Sequence, residues 1–131
     1  MVAARDIFRI LLFAWLTGNG DVHAKNISIV QREGEWRISP LYDLPSTLPY
    51  GDDSMALPMA DRDRDLARKA FLEFAESIHI PALAAEVIIT SMLGATEPVI
   101  DLFSKREEEF THPRNSESLQ ALKYRRRLLT E

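Results

Sequence analysis

GNGDVHAKN, residues 18–26, follows directly on the apolar run IFRILLFAWL, residues 7–16. It holds two glycines, an aspartate, a histidine, a lysine and two asparagines in nine residues. Glycine, asparagine and aspartate favour turns, because they tolerate left-handed backbone or bond their own main chain. The stretch therefore reads as a helix stop and turn, yet so many polar groups beside a core-forming segment also suit a site. The flanking sequence decides between the two.

Upstream, Ile7, Ile10, Leu11, Ala14 and Trp15 recur at helical spacing, and Phe8 and Leu12 widen the stripe. This predicts a largely buried helix over residues 3–17 that stops at Gly18. The run carries Arg9, lacks a small-residue cleavage site and falls short of the ~20 residues of a membrane span, so it reads as a core helix. Downstream, ISIV (27–30) and WRIS (36–39) are short β-type runs separated by QREGE (31–35), a hairpin signal with Gly34 in the turn. The polar stretch thus lies between a helix end and a hairpin.

Residues 40–58 hold four of the seven prolines, which rules out long regular structure and leaves a long loop of the kind that often carries function. DRDRDLARKAFLEFAESI (61–78) begins with aspartates able to cap and places Leu66, Ala67, Ala70, Phe71 and Phe74 on one helix face. IPALAAEVIITSML (80–93) starts a further helix with Pro81 in its first turn. Gly94 marks a break, and Glu97-Pro98 restarts a helix to about Phe110. SESLQALKYRRRLL (116–129) makes a last helix with Ser116 as N-cap. The expected fold is mainly α: one domain over residues 1–131, a helical bundle against which a small β-hairpin must pack to be stable.

Composition agrees with a soluble globular domain, 46% apolar and 27% charged. A net charge of −4 gives no general attraction to nucleic acid. The local basic string KYRRR (123–127) reads as a solvated last helical turn that complements the dipole. No direct nucleic-acid partner and no membrane are expected. With no cysteine there is no disulfide, thiolate zinc site or cysteine nucleophile, which fits a cytoplasmic protein. His79 and His112 read as structural histidines, Trp36 and Tyr42 as core or hairpin-packing aromatics, and Met55 and Met59 as packing residues. DDS (52–54) reads as a solvated loop tip and KREEEF (105–110) as an exposed helix face.

The polar loops carry a spacing with chemical meaning. Phosphoryl transfer in protein kinases uses an aspartate that accepts the hydroxyl proton, an asparagine five residues on that holds magnesium, and a second metal-binding aspartate beyond a short hairpin. Asp21 and Asn26 have that spacing, and Asp43 follows the hairpin. An irregular loop can set Asp21 and Asn26 on one side of a cleft while the strands return Asp43 towards Asn26. Asparagine and aspartate supply the hard oxygens that suit Mg²⁺. Lys25 would lie where an ammonium neutralises a transferring phosphoryl group, and His23 would support the loop.

GNGDVHAKNISIV followed by WRISPLYDLPSTLPY resembles the catalytic loop and metal-binding segment of the HipA family of serine/threonine kinase toxins, whose pattern is G-N-x-D-x-H-x-K-N, a hairpin, then R-x-[ST/A]-P-x-Y-D. The resemblance is densest over residues 17–50, about a quarter of the chain. It implies a kinase-like C-lobe, Asp21 as catalytic aspartate with Lys25 beside it, and a nucleotide-binding loop of His23, Lys25, Asn26 and Asp43. It also implies Mg²⁺ held by Asn26 and Asp43, and ATP as donor. The implied acceptor is a protein serine or threonine, with aminoacyl-tRNA synthetases the family's typical targets, and the implied partner is an antitoxin with a DNA-binding domain.

The 20 residues before Asp21 cannot hold the ATP-covering loop, the phosphate-binding lysine and the β-rich N-lobe of a complete kinase. The expectation is therefore the C-terminal portion alone: a truncated form, a split kinase paired with an N-lobe chain, or a remnant, holding metal and nucleotide poorly by itself. A non-catalytic interaction or regulatory module is the second reading, although the intact Asp21, Asn26 and Asp43 argue against decay. A metal-dependent phosphohydrolase is weaker, because two-metal hydrolases use more carboxylate or histidine ligands.

Overall fold

A computed structural model describes residues 2–59, 61–109 and 114–131, with the side chains of residues 106–109 outside that description. Helix α1 spans Val2–Thr17. Strands β1, Ile29–Arg32, and β2, Glu35–Ile38, form the hairpin. Helices α2, Arg68–Ser77, α3, Ala82–Ala95, α4, Glu97–Glu109, and α5, Asn115–Thr130, follow. Short 3-10 turns lie at Ala24–Asn26 and Leu48–Tyr50. The mainly helical fold with one two-stranded antiparallel sheet is as the sequence predicts.

Helix α1 is apolar on nearly every side, so it is buried on nearly every side. Phe8, Leu11, Leu12, Ala14, Trp15 and Leu16 all lie in the core, and α1 packs on α3, α5 and β2. Phe8 meets Phe71 of α2 edge-on at 6.3 Å between ring centroids and stacks on Phe74 at 6.3 Å. Burying each such ring contributes roughly 2–3 kcal/mol. A smaller cluster of Leu48, Phe103, Leu119 and Leu122 joins α4 and α5 to the loop before α2. The apolar run Ala82–Lys105 is long enough, by length and composition, to cross a membrane. Here it is interrupted at Thr96, and α3 turns Ala85, Ile88 and Ile89 into the core.

The hairpin pairs Ile29 with Ile38 and Arg32 with Glu35 around a two-residue turn, Glu33-Gly34, with φ of 52° and 82°. Positive φ at both positions is the turn that matches strand twist, and Gly34 meets the demand without strain.

Several helix boundaries differ from the expectation. Helix α2 begins at Arg68 with Ala67 at the N-cap, not among the aspartates. The backbone before it is engaged elsewhere: Met59 and Arg62 exchange both N–H···O bonds, and Asp63 O accepts from Met55 N–H. Pro81 sits at the N-cap of α3 and not within its first turn. Gly94 lies inside α3, and the break falls at Thr96, whose hydroxyl folds back onto Met92 O at 2.7 Å. Ser116 lies within α5, whose N-cap is Arg114; Arg114 O accepts from Ser118 N–H and from its hydroxyl. Met55 and Met59 are buried as expected, and His79 is exposed. His112 and all of KREEEF beyond the exposed Lys105 lie outside the residues whose side chains are described.

Candidate active site

Helix α1 delivers the chain to the polar loop through a well-defined C-terminus. Gly18 is left-handed, its N–H reaches Trp15 O at 3.4 Å, and Asn19 N–H reaches Ala14 O at 2.8 Å. These are the two bonds of a Schellman end. A Cβ on Gly18 would fall on the Leu48 side chain and within 2.9 Å of Ser46 Oγ. The stop is therefore also a close approach, made by the segment that follows the hairpin.

Asn19 is 1% exposed, and its Oδ1 accepts the N–H of Asp21 at 2.9 Å, which turns the chain outward. Asp21 then presents its carboxylate to solvent, with 59% of the side chain exposed and His23 Nε2 3.8 Å away. The other ring nitrogen of His23 is buried with no hydrogen-bond partner among the described residues. His23 heads the short turn Ala24–Asn26, and its N–H donates to Asn26 Oδ1 at 3.2 Å. Lys25 is exposed beside it.

The hairpin brings the second half of the site back. Ser39 N–H donates to Ser28 O at 2.8 Å, and the Tyr42 hydroxyl donates to Lys25 O at 3.4 Å. The backbone pairing therefore continues one step past the strands, and beyond it the Tyr42 side chain alone reaches back to Lys25. Asp43 is exposed, holds a left-handed φ of 54°, and has no hydrogen bond or ion pair among the described residues. Non-glycine residues in that region are strained by about 1 kcal/mol or more and cluster at functional sites. Asp21, His23, Lys25 and Asn26 thus share one loop, and the segment that carries Asp43 touches that loop through the Tyr42 side chain. Tyr42 and Trp36 are 52% and 64% exposed, which corrects their expected role as packed aromatics. The same pairing that draws the strands together leaves these two side chains facing solvent.

Magnesium is normally held by one or two protein oxygens, waters and the substrate's own phosphates. Asn26 and Asp43 fit such a donor set. Among the described residues there is no group of three or more His, Cys, Asp or Glu that could hold a metal alone.

Two supports of the site escape a reading of the sequence. Thr47 is one: its N–H and hydroxyl both meet Gly18 O, and its Oγ1 accepts Gly20 N–H at 3.0 Å. Arg125 is the other, and it corrects the reading of KYRRR as a solvated turn. It is 3% exposed, its guanidinium lies 4.0 Å over the Trp15 ring, and it donates to Trp15 O at 3.1 Å and Asp53 O at 2.6 Å. Burial pushes its pKa down to about 10, so it stays charged at neutral pH. Arg126 likewise donates to Leu93 O and Thr96 Oγ1 at the end of α3. These arginines cap the C-termini of other helices, a role that five basic or aromatic letters in a row do not reveal.

Comparison with known proteins supplies the family. Residues 1–100 match the HipA-like C-terminal domain. A Haemophilus influenzae protein named "Putative kinase" is 27% identical over 77% of this chain, and a kinase relative from Sinorhizobium fredii is 36% identical over 70%. The serine/threonine-protein kinase toxin HipA of Shewanella oneidensis is 38% identical over 48%. The chain spans only 35%, 23% and 14% of these three relatives' lengths. The fold matches a chain of the solved Shewanella oneidensis complex of HipA, HipB and operator DNA with a TM-score of 0.69 at 22% identity, over 96% of this chain and 31% of that one. With a family match over three quarters of its length and this fold, the chain belongs to the HipA-like C-terminal domain family.

Proposed function

We propose that the chain is the C-terminal catalytic lobe of a HipA-like protein serine/threonine kinase. One observation supports the reading: the Tyr42 hydroxyl, on the residue before Asp43, donates to Lys25 O in the loop that holds Asp21 and Asn26, across the hairpin that joins the two segments. The exposed Asp21 carboxylate accepts the proton of the acceptor hydroxyl as that oxygen bonds the γ-phosphorus of ATP, whose bond to the bridging oxygen breaks to release ADP. Asn26 and Asp43 hold Mg²⁺, which neutralises charge on the phosphates of ATP when bound. Lys25 faces the transferring group, and His23 fixes the turn through its N–H bond to Asn26. On this reading the acceptor is a protein serine or threonine, such as one on an aminoacyl-tRNA synthetase, and the protein works in the cytoplasm. An antitoxin partner like the HipB of the solved complex also belongs to the proposal.

The second reading, a non-catalytic interaction module, has its own observation. The Asn26 carboxamide oxygen is already engaged by His23 N–H and must be shared or released to meet a metal. A Mn²⁺ titration with ATP, on this chain joined to the remaining length of the Haemophilus influenzae relative and followed by paramagnetic broadening of amide signals, separates the two. The kinase reading expects broadening centred on residues 26 and 43 that is lost in Asp43→Asn. Broadening confined to Asp61, Asp63 and Asp65, or none at saturating Mn-ATP, overturns the metal assignment and favours the interaction module.

A further inference from the structure

The segment after Asp43 does more than leave the site; it passes back against the loop that carries Asp21. Thr47 is where the two touch. Its Oγ1 lies 3.0 Å from Gly20 N, 3.2 Å from Gly18 O and 2.9 Å from Asp52 O, while its own N–H donates to Gly18 O at 2.8 Å. A hydroxyl has one proton and two lone pairs, so it accepts from Gly20 N–H and shares its proton between the two carbonyls. One side chain thereby ties the backbone on the approach to Asp21 to the loop that follows Asp43. Ala56 N–H closes the same junction by donating to Gly20 O at 3.1 Å.

Gly20 is built for this contact. A Cβ there would lie 2.7 Å from Thr47 Oγ1 and 2.6 Å from Ser54 O, closer than real Cβ atoms approach. Its requirement is space for the Ser54 carbonyl and the Thr47 hydroxyl, whereas Gly18 is also needed for its left-handed φ. The N–H groups of Gly20 and Asp21 thus depend on two side chains, Thr47 and Asn19. Asn19 belongs to the same loop; Thr47 comes from the other side of the hairpin and is the one that couples the two halves.

We infer that Thr47 is a positioning residue whose hydroxyl, rather than its methyl group or bulk, fixes the Asp21 loop against the segment that carries Asp43. Its value to phosphoryl transfer rests on the reading of Asp21 and Asn26 given above; the mechanical coupling does not.

The test is residue-resolved amide hydrogen exchange on the 131-residue chain, comparing the wild type with Thr47→Val, which keeps the shape, and Thr47→Ser, which keeps the hydroxyl. In the wild type, the Gly20 and Asp21 amides should be protected. Thr47→Val should speed their exchange about tenfold beyond the change at the core amides of Phe8 and Leu12, the effect of losing one hydrogen bond locally. Thr47→Ser should restore protection to within about threefold. Equal exchange in all three proteins, or a serine variant as loose as the valine one, overturns the inference. Should Thr47→Val not fold, the wild type and the serine variant still decide it, because unprotected Gly20 in either folded protein contradicts the clamp. A clamp seen in this chain, together with no Mn-ATP binding when the chain is joined to the remaining length of the Haemophilus influenzae relative, would sink the kinase reading and leave this one standing.

Discussion

Replacing Arg125 by methionine keeps most of the buried volume and removes the guanidinium that links α5, the end of α1 and the loop at Asp53. Two hydrogen bonds from a charged donor, each worth about 1.5–3 kcal/mol, are lost. A stacked cation on Trp15, worth about 2 kcal/mol when desolvated, goes with them. Against this, the variant no longer buries a charge, and the depression of the arginine's pKa to about 10 puts that relief at roughly 3 kcal/mol. The hydrogen-bonding loss wins, because the buried Trp15 O loses its charged donor and keeps only the 3.4 Å contact from Gly18 N–H. The net destabilisation should be about 3 kcal/mol, or roughly 10 °C in Tm for a chain of this size. Arg125→Lys should fall about halfway, since one ammonium cannot fork to both carbonyls. Urea unfolding followed by circular dichroism gives the free energy. Tryptophan fluorescence reports the local environment of buried Trp15 against exposed Trp36. A loss below about 1 kcal/mol, or a stabilised methionine variant, would refute the assignment of Arg125 as a structural clamp.

Further outcomes follow from single contacts. Phe71→Ala removes a fully buried ring that meets Phe8 and should cost about 3–5 kcal/mol in urea unfolding. Gly18→Ala forces a side chain into left-handed backbone and onto Leu48, and should lower stability by about 2 kcal/mol or more, while Gly34→Ala, where a Cβ meets open space, pays only the backbone part, about 1 kcal/mol. The Asp52 carboxyl is held below the ordinary aspartate value by the Ser54 hydroxyl at 2.6 Å and the Ser54 N–H at 3.0 Å, against burial, which pushes it up. A depressed carboxyl stabilises the fold above its unfolded pKa and loses that contribution as pH falls through its folded value. Ser54→Ala should therefore raise the Asp52 pKa in a carbon-detected NMR titration and flatten the acid limb of the stability profile; an unchanged titration curve would contradict this.

Much of the fold was legible because it rests on local pattern. The period of Ile7, Ile10, Leu11 and Ala14 marks α1, and Glu33-Gly34 between two β-type runs marks the hairpin. That the Asp21–Asn26 loop and Asp43 flank one hairpin was legible for the same reason, since both strands announce themselves locally. What escaped depends on partners distant in sequence. The start of α2 is set by Met55 and Met59 bonding across to residues 62–63, which capping propensity cannot foresee. Arg125 looks like its neighbours in KYRRR until the fold brings Trp15 beneath it. Thr47 sits in a proline-rich loop with nothing to distinguish it from Ser46, yet only its Oγ1 meets both Gly20 and Asp52. Trp36 and Tyr42 show the converse, large aromatics left exposed on and just beyond the hairpin.

The most direct test is phosphoryl transfer itself. In a chimera, this chain replaces the matching C-terminal part of the Haemophilus influenzae relative, which supplies the remaining length. Transfer of label from γ-labelled ATP to protein serine or threonine is then followed in the presence of Mg²⁺. The account predicts transfer that falls by a factor of about a hundred or more in Asp21→Asn, with Mg-ATP binding retained, as expected for loss of a general base. Transfer that survives Asp21→Asn unchanged, or a folded chimera that binds Mg-ATP and transfers nothing, would contradict it.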